Sequence, residues 1–195
     1  MKISVIKKIP AAAGLGGGSS DAAAVLEALD DMLGTGLPCA ELRALGRRLG
    51  ADVPFFLYKQ TAWATGIGDR LEAWPGLPPV WLVLVNPGLA VSTASVFQNL
   101  GLTHHRSIAK LPRVPQGISA LVRLLHNDLE AVTCQHLPVV ATIKNRLLAS
   151  GAEGALMSGS GPTVFGLFAE RGRAEHAAAA ISRDTEWWVE VVSPL

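Results

Sequence analysis

The chain has 195 residues, 49% of them hydrophobic, which is enough for one generous core or two small ones in a globular protein. Seventeen Lys and Arg stand against 16 Asp and Glu, so no net field draws the chain to nucleic acid or to an anionic membrane surface, and an anionic ligand has to be held by local geometry. The longest apolar runs fall short of the roughly 18 residues that span a bilayer, residues 1–20 carry no secretory pattern, and Cys39 and Cys134 have no CxxC spacing, which together predict a cytoplasmic protein with reduced thiols.

Ile3, Val5 and Ile9 alternate with polar residues and predict a half-buried strand over 3–9, stopped by Pro10. A glycine-dense turn at 14–18 precedes Ser19-Ser20-Asp21, residue types that favour a helix N-cap, and the Ala/Leu-rich stretch beyond predicts a helix ending near Gly34. A second helix, about 40–49, carries Leu42, Leu45 and Leu49 on one face, with Arg43, Arg47 and Arg48 read as a solvated face. Residues 61–65 and 70–74 read as strands around the turn Gly66-Ile67-Gly68. The proline cluster at 75–79 then marks a boundary between domains 1–77 and 78–195. Beyond it come an apolar strand at 80–86, helices near 93–100, 117–125 and 136–149, strands at 154–158 and 163–169, a helix at 173–182 and a strand at 187–192. This order predicts an α+β sandwich of the ferredoxin-like kind. Residues 103–117, with His104 and His105, read as a surface loop, and the five histidines show no metal-ligand spacing. Trp187 and Trp188 are placed on opposite faces of the last strand.

The strongest chemical signal is Pro10-Ala-Ala-Ala-Gly14-Leu15-Gly16-Gly17-Gly18-Ser19-Ser20-Asp21. Glycines let backbone approach a ligand closely, and the helix that follows points unpaired N–H groups and the positive end of its dipole back at the turn. Phosphate is the expected guest, and Ser19 or Ser20 offers a hydroxyl to magnesium, which prefers oxygen ligands. No Lys follows the last glycine, so this is not a Walker A loop. On spacing alone the stretch is also compatible with a flexible turn, Asp52 with a turn residue, Gly159-Ser160-Gly161-Pro162 with a hairpin, and Ile67 and Phe97 with ordinary core.

Pro-x-x-x-Gly-Leu-Gly followed by Ser-Ser and alanines resembles the phosphate-binding motif of the GHMP kinases, the superfamily of galactokinase, homoserine kinase and mevalonate kinase. The longer form GLGGGSSDAA is similar to that of the diphosphocytidyl-methylerythritol kinases within it. Leu49-Gly50-Ala51-Asp52-Val53-Pro54-Phe55-Phe56 resembles the catalytic segment of that group, and Met157-Ser158-Gly159-Ser160-Gly161-Pro162-Thr163 the third, glycine-rich motif of the superfamily. The likeness runs from about Ile3 to the C-terminus. It implies a two-domain α+β fold, with a partial ribosomal-protein-S5-domain-2-like N-terminal part and a ferredoxin-like C-terminal domain. It also implies an ATP- and Mg2+-dependent enzyme that phosphorylates the 2-hydroxyl of a small molecule, 4-diphosphocytidyl-2-C-methyl-D-erythritol. By the same resemblance Asp52 takes or orients the proton of that hydroxyl, and Pro10 and Gly14 to Asp21 hold the triphosphate. Thr93 lies near the methylerythritol phosphate end, Ile67 and Phe97 flank the cytosine ring, and Gly159, Ser160 and Gly161 pack on the phosphate loop. Asn127-Asp128-Leu129-Glu130 matches a family stretch without an assigned chemistry and reads as helix-end packing.

The resemblance further implies a segment before Ile3, bearing a Lys and an Asn near the reacting groups and a Tyr-His pair for the cytidine, that has no counterpart in these 195 residues. Residues 1–75 are therefore expected to form an incomplete layer with exposed edges and apolar surface, to pair as a homodimer or aggregate, and to show little kinase activity without that segment. Two alternatives remain open at this point: a catalytically inactive nucleotide-binding or sensor-like relative, and a kinase for another small alcohol.

Overall fold

A computed structural model describes residues 2–74, 76–100 and 115–194; most of the loop expected at 103–117, with His104 and His105, lies outside the described residues. The chain divides into two compact units, one of Met1–Lys8 with Gly16–Gly76, the other of Ile9–Leu15 with Leu77–Pro194.

In the first unit, helix α1 (Gly17–Leu33) ends where Gly34 adopts a left-handed φ of 61° and its N–H returns to Asp30 and Asp31. The Asp30 carboxylate, bonded by the Leu37 amide and then by the Thr35 hydroxyl, is held below its ordinary pKa and fastens the loop that follows. Helix α2 (Cys39–Leu49) lies close to α3 (Val53–Tyr58) because position 46 is glycine: a Cβ there would sit 2.9 Å from both Val53 and Leu57. Ala23, Val53 and Leu57 form a small core with Leu26, Leu42 and Phe56 around them. The antiparallel hairpin β1 (Ala62–Thr65) and β2 (Arg70–Ala73) pairs Ala62 with Ala73 and Thr65 with Arg70.

Three expectations need correction here. Residues 2–8 are not a strand, because alternation selects a face but a strand also needs a ladder partner, and none stands beside them among the described residues. Ile3, Val5 and Ile6 are exposed, and residues 2–6 border an apolar trough of about 460 Å³ along α1, lined by Val25, Leu29 and Met32. Helix α1 starts two residues early, at Gly17, so Ser19 and Ser20 lie inside its first turn, Asp21 opens its second, and none of them caps it. Arg47 is not merely solvated, since its guanidinium pairs with the buried Asp69 carboxylate at 2.8 Å, and Arg43 stands 5.4 Å over the Tyr58 ring.

The second unit is built on a four-stranded antiparallel sheet ordered β4-β5-β3-β6, from β3 (Trp81–Asn86), β4 (Gly154–Met157), β5 (Val164–Phe168) and β6 (Trp188–Val192). Helices α4 (Thr93–Asn99), α5 (Ile118–Val122), α6 (Asp128–His136) and α7 (Val139–Ala149) follow β3, and α8 (Arg171–Asp184) joins β5 to β6, the order of a ferredoxin-like sandwich. Helix α7 packs on β4 and β5, and α8 on β3 and β6. Val83, Val85, Val164 and Phe168 from the sheet meet Ile143, Leu147, Ala177 and Ile181 from these helices. The helix expected at 136–149 is α7, which starts three residues later, at Val139, after Pro138 has ended the unexpected helix α6. Trp187 stands before β6 rather than within it, half-buried with the Arg146 guanidinium 5.7 Å over its ring. Among the described residues no helix is long and apolar enough to cross a membrane. Replacing the fully buried Ile143 by Ala should cost about 2–5 kcal/mol in urea unfolding, through lost burial and the cavity left behind.

Candidate functional site

The segment Ile9–Leu15 runs against the turn between β4 and β5 in the second unit. The contact is backbone to backbone: at Gly14, φ 73°, a Cβ would lie 2.4 Å from the Ser158 carbonyl oxygen and 2.8 Å from that of Gly161. The Ser158 hydroxyl donates to the Gly14 carbonyl at 2.8 Å, and the Thr163 N–H to the Ala13 carbonyl at 3.3 Å. Gly159 faces the same carbonyl, since its own Cβ would stand 3.2 Å from Gly14 O. Two consecutive carbonyls of the glycine-rich segment thus turn onto the Ser158–Thr163 turn. None of the amides of residues 14–19 donates to another described residue. Pro10 opens this segment, Ala12 takes a left-handed φ of 52°, and Leu15 is half-buried.

Behind the turn lies a polar network. Asn86 and Thr163 are buried and bonded to each other at 2.8 Å, and the Asn86 side-chain Oδ1 accepts from Gly88 N–H, fixing the start of the 87–93 loop. Thr93 and Ser160 share a hydrogen bond at 2.8 Å, and Thr133 donates to the Ser160 carbonyl at 3.2 Å. Asn127 donates to the carbonyls of Met157 and Gly159, both at 2.8 Å, while Glu130 accepts from Met157 N–H and pairs with Lys144. Asn86 carries no motif signal, and Ser158, Thr163 and Glu130 lie in stretches the sequence singled out without assigning them a role; their roles come from the tertiary contacts.

In the first unit, Gly16 is the N-cap of α1 with φ 66°, and a Cβ there would stand 2.8 Å from the Phe56 ring. Gly17 opens α1, and a Cβ at Gly18 would meet nothing within 4 Å, so the helix start is open at that point. Ser19 and Ser20 are half-buried in the first turn, and Asp21 pairs with Lys7 at 2.5 Å. Phe56 belongs to α3, and Asp52 is the residue from which α3 starts. Asp52 is exposed, its side chain makes no cap bond, and no hydrogen bond or ion pair from its carboxylate reaches another described residue. A Cβ at Gly68 would be 3.6 Å from Asp52 Oδ1, so the β1–β2 turn with Ile67 lies alongside. The Asp69 carboxylate accepts from Ile67 N–H at 3.4 Å and from Arg47, which braces that turn. Ile67, 68% exposed, and Phe97 on α4, 57% exposed, are both surface residues and not core.

The first unit thus gathers the start of α1, Asp52 and the Ile67 turn; the second gathers Gly14, Gly159, Ser160, Gly161 and Thr93. Leu15 and Gly16 are consecutive in the chain. At Gly14 both facing atoms are backbone oxygens with no rotamer to yield, so Gly14→Ala should cost at least about 2 kcal/mol, a fall in Tm of roughly 4–8 °C. Gly18→Ala, with open space around it, should leave Tm within about 2 °C in the same melts.

A family model described as GHMP kinases N terminal domain matches residues 1–60, and one described as GHMP kinases C terminal matches residues 108–185. The chain is 56% identical over 195 residues to the 4-diphosphocytidyl-2-C-methyl-D-erythritol kinase of Syntrophotalea carbinolica, spanning all of this chain and 70% of that protein. It is 52% identical over 193 residues to the corresponding kinase of Pelobacter propionicus, spanning 99% of this chain and 69% of that one. Among solved structures, a crystal structure of 4-(cytidine 5'-diphospho)-2C-methyl-D-erythritol kinase matches 97% of this chain and 69% of its own with a TM-score of 0.76 at 39% identity. The homoserine kinase of Cytophaga hutchinsonii, at 18% identity and a TM-score of 0.73 over 97% of this chain and 68% of its own, shares the fold. With the glycine segment, the Asp52 segment and the β4–β5 turn set in this fold, the chain belongs to the 4-diphosphocytidyl-2-C-methyl-D-erythritol kinase family of the GHMP kinases.

Proposed function

We propose that the chain transfers the γ-phosphoryl group of ATP to the 2-hydroxyl of 4-diphosphocytidyl-2-C-methyl-D-erythritol. The observation that carries this reading is that the amides of residues 14–19 donate to no other described residue, the last three of them at the start of a 17-residue helix whose dipole favours negative charge. Phosphoryl transfer is catalysed chiefly by positioning and by stabilising charge on the equatorial oxygens, and preorganised backbone donors supply such stabilisation without reorganising during reaction. Gly14 to Asp21 hold the triphosphate in this reading, with Pro10 setting the approach of the segment. The Ser19 and Ser20 hydroxyls are hard oxygen donors in the first turn of α1 and suit magnesium, which takes its remaining ligands from water and phosphate oxygens. Bound there, the ion would neutralise phosphate charge.

Asp52 is the base. Its carboxylate is not spent on capping α3, which supports a role outside the helix, and it starts the same helix whose Phe56 meets Gly16 at the head of α1. It orients the attacking hydroxyl and accepts its proton as the new O–P bond forms and the bond from the γ-phosphorus to the bridging oxygen breaks, with ADP as leaving group. Thr93, joined to Ser160, serves the methylerythritol phosphate end, and the exposed faces of Ile67 and Phe97 offer apolar surface to the cytosine ring. Gly159 and Gly161 shape the site through their contact with Gly14, and Ser160 through its bond to Thr93.

In a protein completed at its N-terminus by the segment the resemblance implies, Asp52→Asn should leave ATP affinity within about twofold and lower kcat by at least about 10²-fold. Calorimetry with ATP and mass-spectrometric detection of the phosphorylated alcohol measure the two separately. Equal turnover in both proteins would reduce Asp52 to a turn residue. Tight ATP binding by the completed protein with no phosphorylated product would select instead a nucleotide-binding relative that does not transfer phosphate.

A further inference from the structure

Asn127, at the start of α6, has no place in the chemistry above, yet it holds both sides of the turn on which Gly14 rests. Its Nδ2 donates to the Met157 and Gly159 carbonyls at 2.8 Å each, and its Oδ1 accepts from Leu129 N–H at 3.0 Å. The orientation of the amide is determined by this arrangement, because a flipped amide would set oxygen against two carbonyls and NH2 against an N–H. Glu130, one helical residue group further on, takes Met157 N–H at 2.9 Å, and Thr133 donates to the Ser160 carbonyl. Four backbone groups between Met157 and Ser160 therefore end on the first two turns of α6.

The turn is closed at its base by two bonds of its own, Gly161 N–H to the Ser158 carbonyl and Ser158 N–H to the Thr163 carbonyl, both at 2.9 Å, but its tip is built on glycine. Gly159 and Gly161 both sit at positive φ, a conformation glycine adopts freely and also leaves freely. Its opposite face carries Ser158, whose hydroxyl bonds the Gly14 carbonyl, and Thr163 N–H, which bonds that of Ala13. Each bond turns a carbonyl oxygen out of the path of an anion and leaves the amides of the loop facing it. An anion approaching an N–H set is repelled by any carbonyl that swings in among them, so the orientation of these two peptides governs affinity.

We infer that Asn127 is a positioning residue for nucleotide binding: through the Ser158–Gly161 turn it keeps the Ala13 and Gly14 carbonyls directed away from the phosphates. The inference rests on the reading of residues 14–21 as the ATP site. Asn127 touches neither Gly14 nor any group assigned to substrate; it acts only through the turn.

Asn127→Asp separates this role from helix capping. A carboxylate caps α6 as well as an amide does, but it has no donor for the two carbonyls and faces them with negative charge. The full chain should stay folded, melting within about 10 °C of wild type. Peptides covering 157–163, where the Ser158 and Gly161 amides close the turn and the Thr163 amide bonds the Ala13 carbonyl, should exchange amide hydrogen faster without nucleotide, and the calorimetric Kd for ATP should rise at least about 10-fold. Ser158→Ala cuts the same link at its far end, so it should reproduce the faster exchange of the Thr163 amide, which bonds the Ala13 carbonyl, and the double variant should bind ATP no more weakly than the worse single. Should Asn127→Asp fail to fold, Asn127→Ser, which keeps a capping hydroxyl but is too short to reach Gly159, takes its place. Unchanged exchange at 157–163 in the folded Asn127 variant, or fully additive losses with Ser158→Ala, would overturn the inference. A wild-type chain that bound no ATP would overturn the ATP reading instead, and the exchange comparison would still decide whether Asn127 sets the loop.

Discussion

The candidate site depends on one close approach, that of the Gly14 backbone to the turn between β4 and β5. Atoms this near leave no room for a side chain: a Cβ on Gly14 would come within 2.8 Å of two carbonyl oxygens, and one on Gly159 within 3.2 Å of the Gly14 oxygen. Glycine on both sides is thus a steric requirement. Once the backbones meet, the Ser158 hydroxyl and the Thr163 amide take up two carbonyls, and the polarity of the loop is decided.

The polar groups that make this contact are costly to bury, which explains where they sit. Among the described residues the buried polar side chains are Asn86, Thr133, Ser160 and Thr163, and each is hydrogen-bonded within the network behind the turn. An unpaired buried group costs roughly 1–3 kcal/mol, so a network of this kind holds only when every member is matched. The apolar sandwich of Val83, Val85, Ile143, Leu147 and Phe168 supplies the stability on which such a network is carried. The first unit has a far smaller core, Ala23, Val53 and Leu57, and brings to its cluster an exposed carboxylate, Asp52, and a helix start with amides to spare.

Much of the fold was legible in the chain. The apolar run at 81–86, the Ala/Leu-rich helix ending at Gly34 and the closing strand, strand, helix and strand all follow from periodicity and glycine punctuation. Residues 2–8 were misread because alternation tells which face a strand would bury and says nothing of whether a neighbour exists to pair with it. Helix α3 escaped notice because six residues are too few for a helical period, and Pro54, which is favourable in a first turn, looks like a breaker. The glycine segments were visible as turns. What could not be read was that Ser158 bonds Gly14 across 144 residues, that Asn127 holds Met157 and Gly159, or that Arg47 and Asp69 brace the Ile67 turn. Such contacts leave no local pattern, only residue types suited to them.

The central claim is that the amides of residues 14–19, kept clear of internal partners, receive the phosphates of ATP. A titration of the 15N-labelled chain with ATP, followed by amide chemical shifts and repeated with adenosine, tests it most directly. The account predicts that the largest shifts fall on Gly14 to Ser19, saturate together, and disappear with adenosine. Saturable ATP binding whose shifts leave these amides unmoved would contradict it.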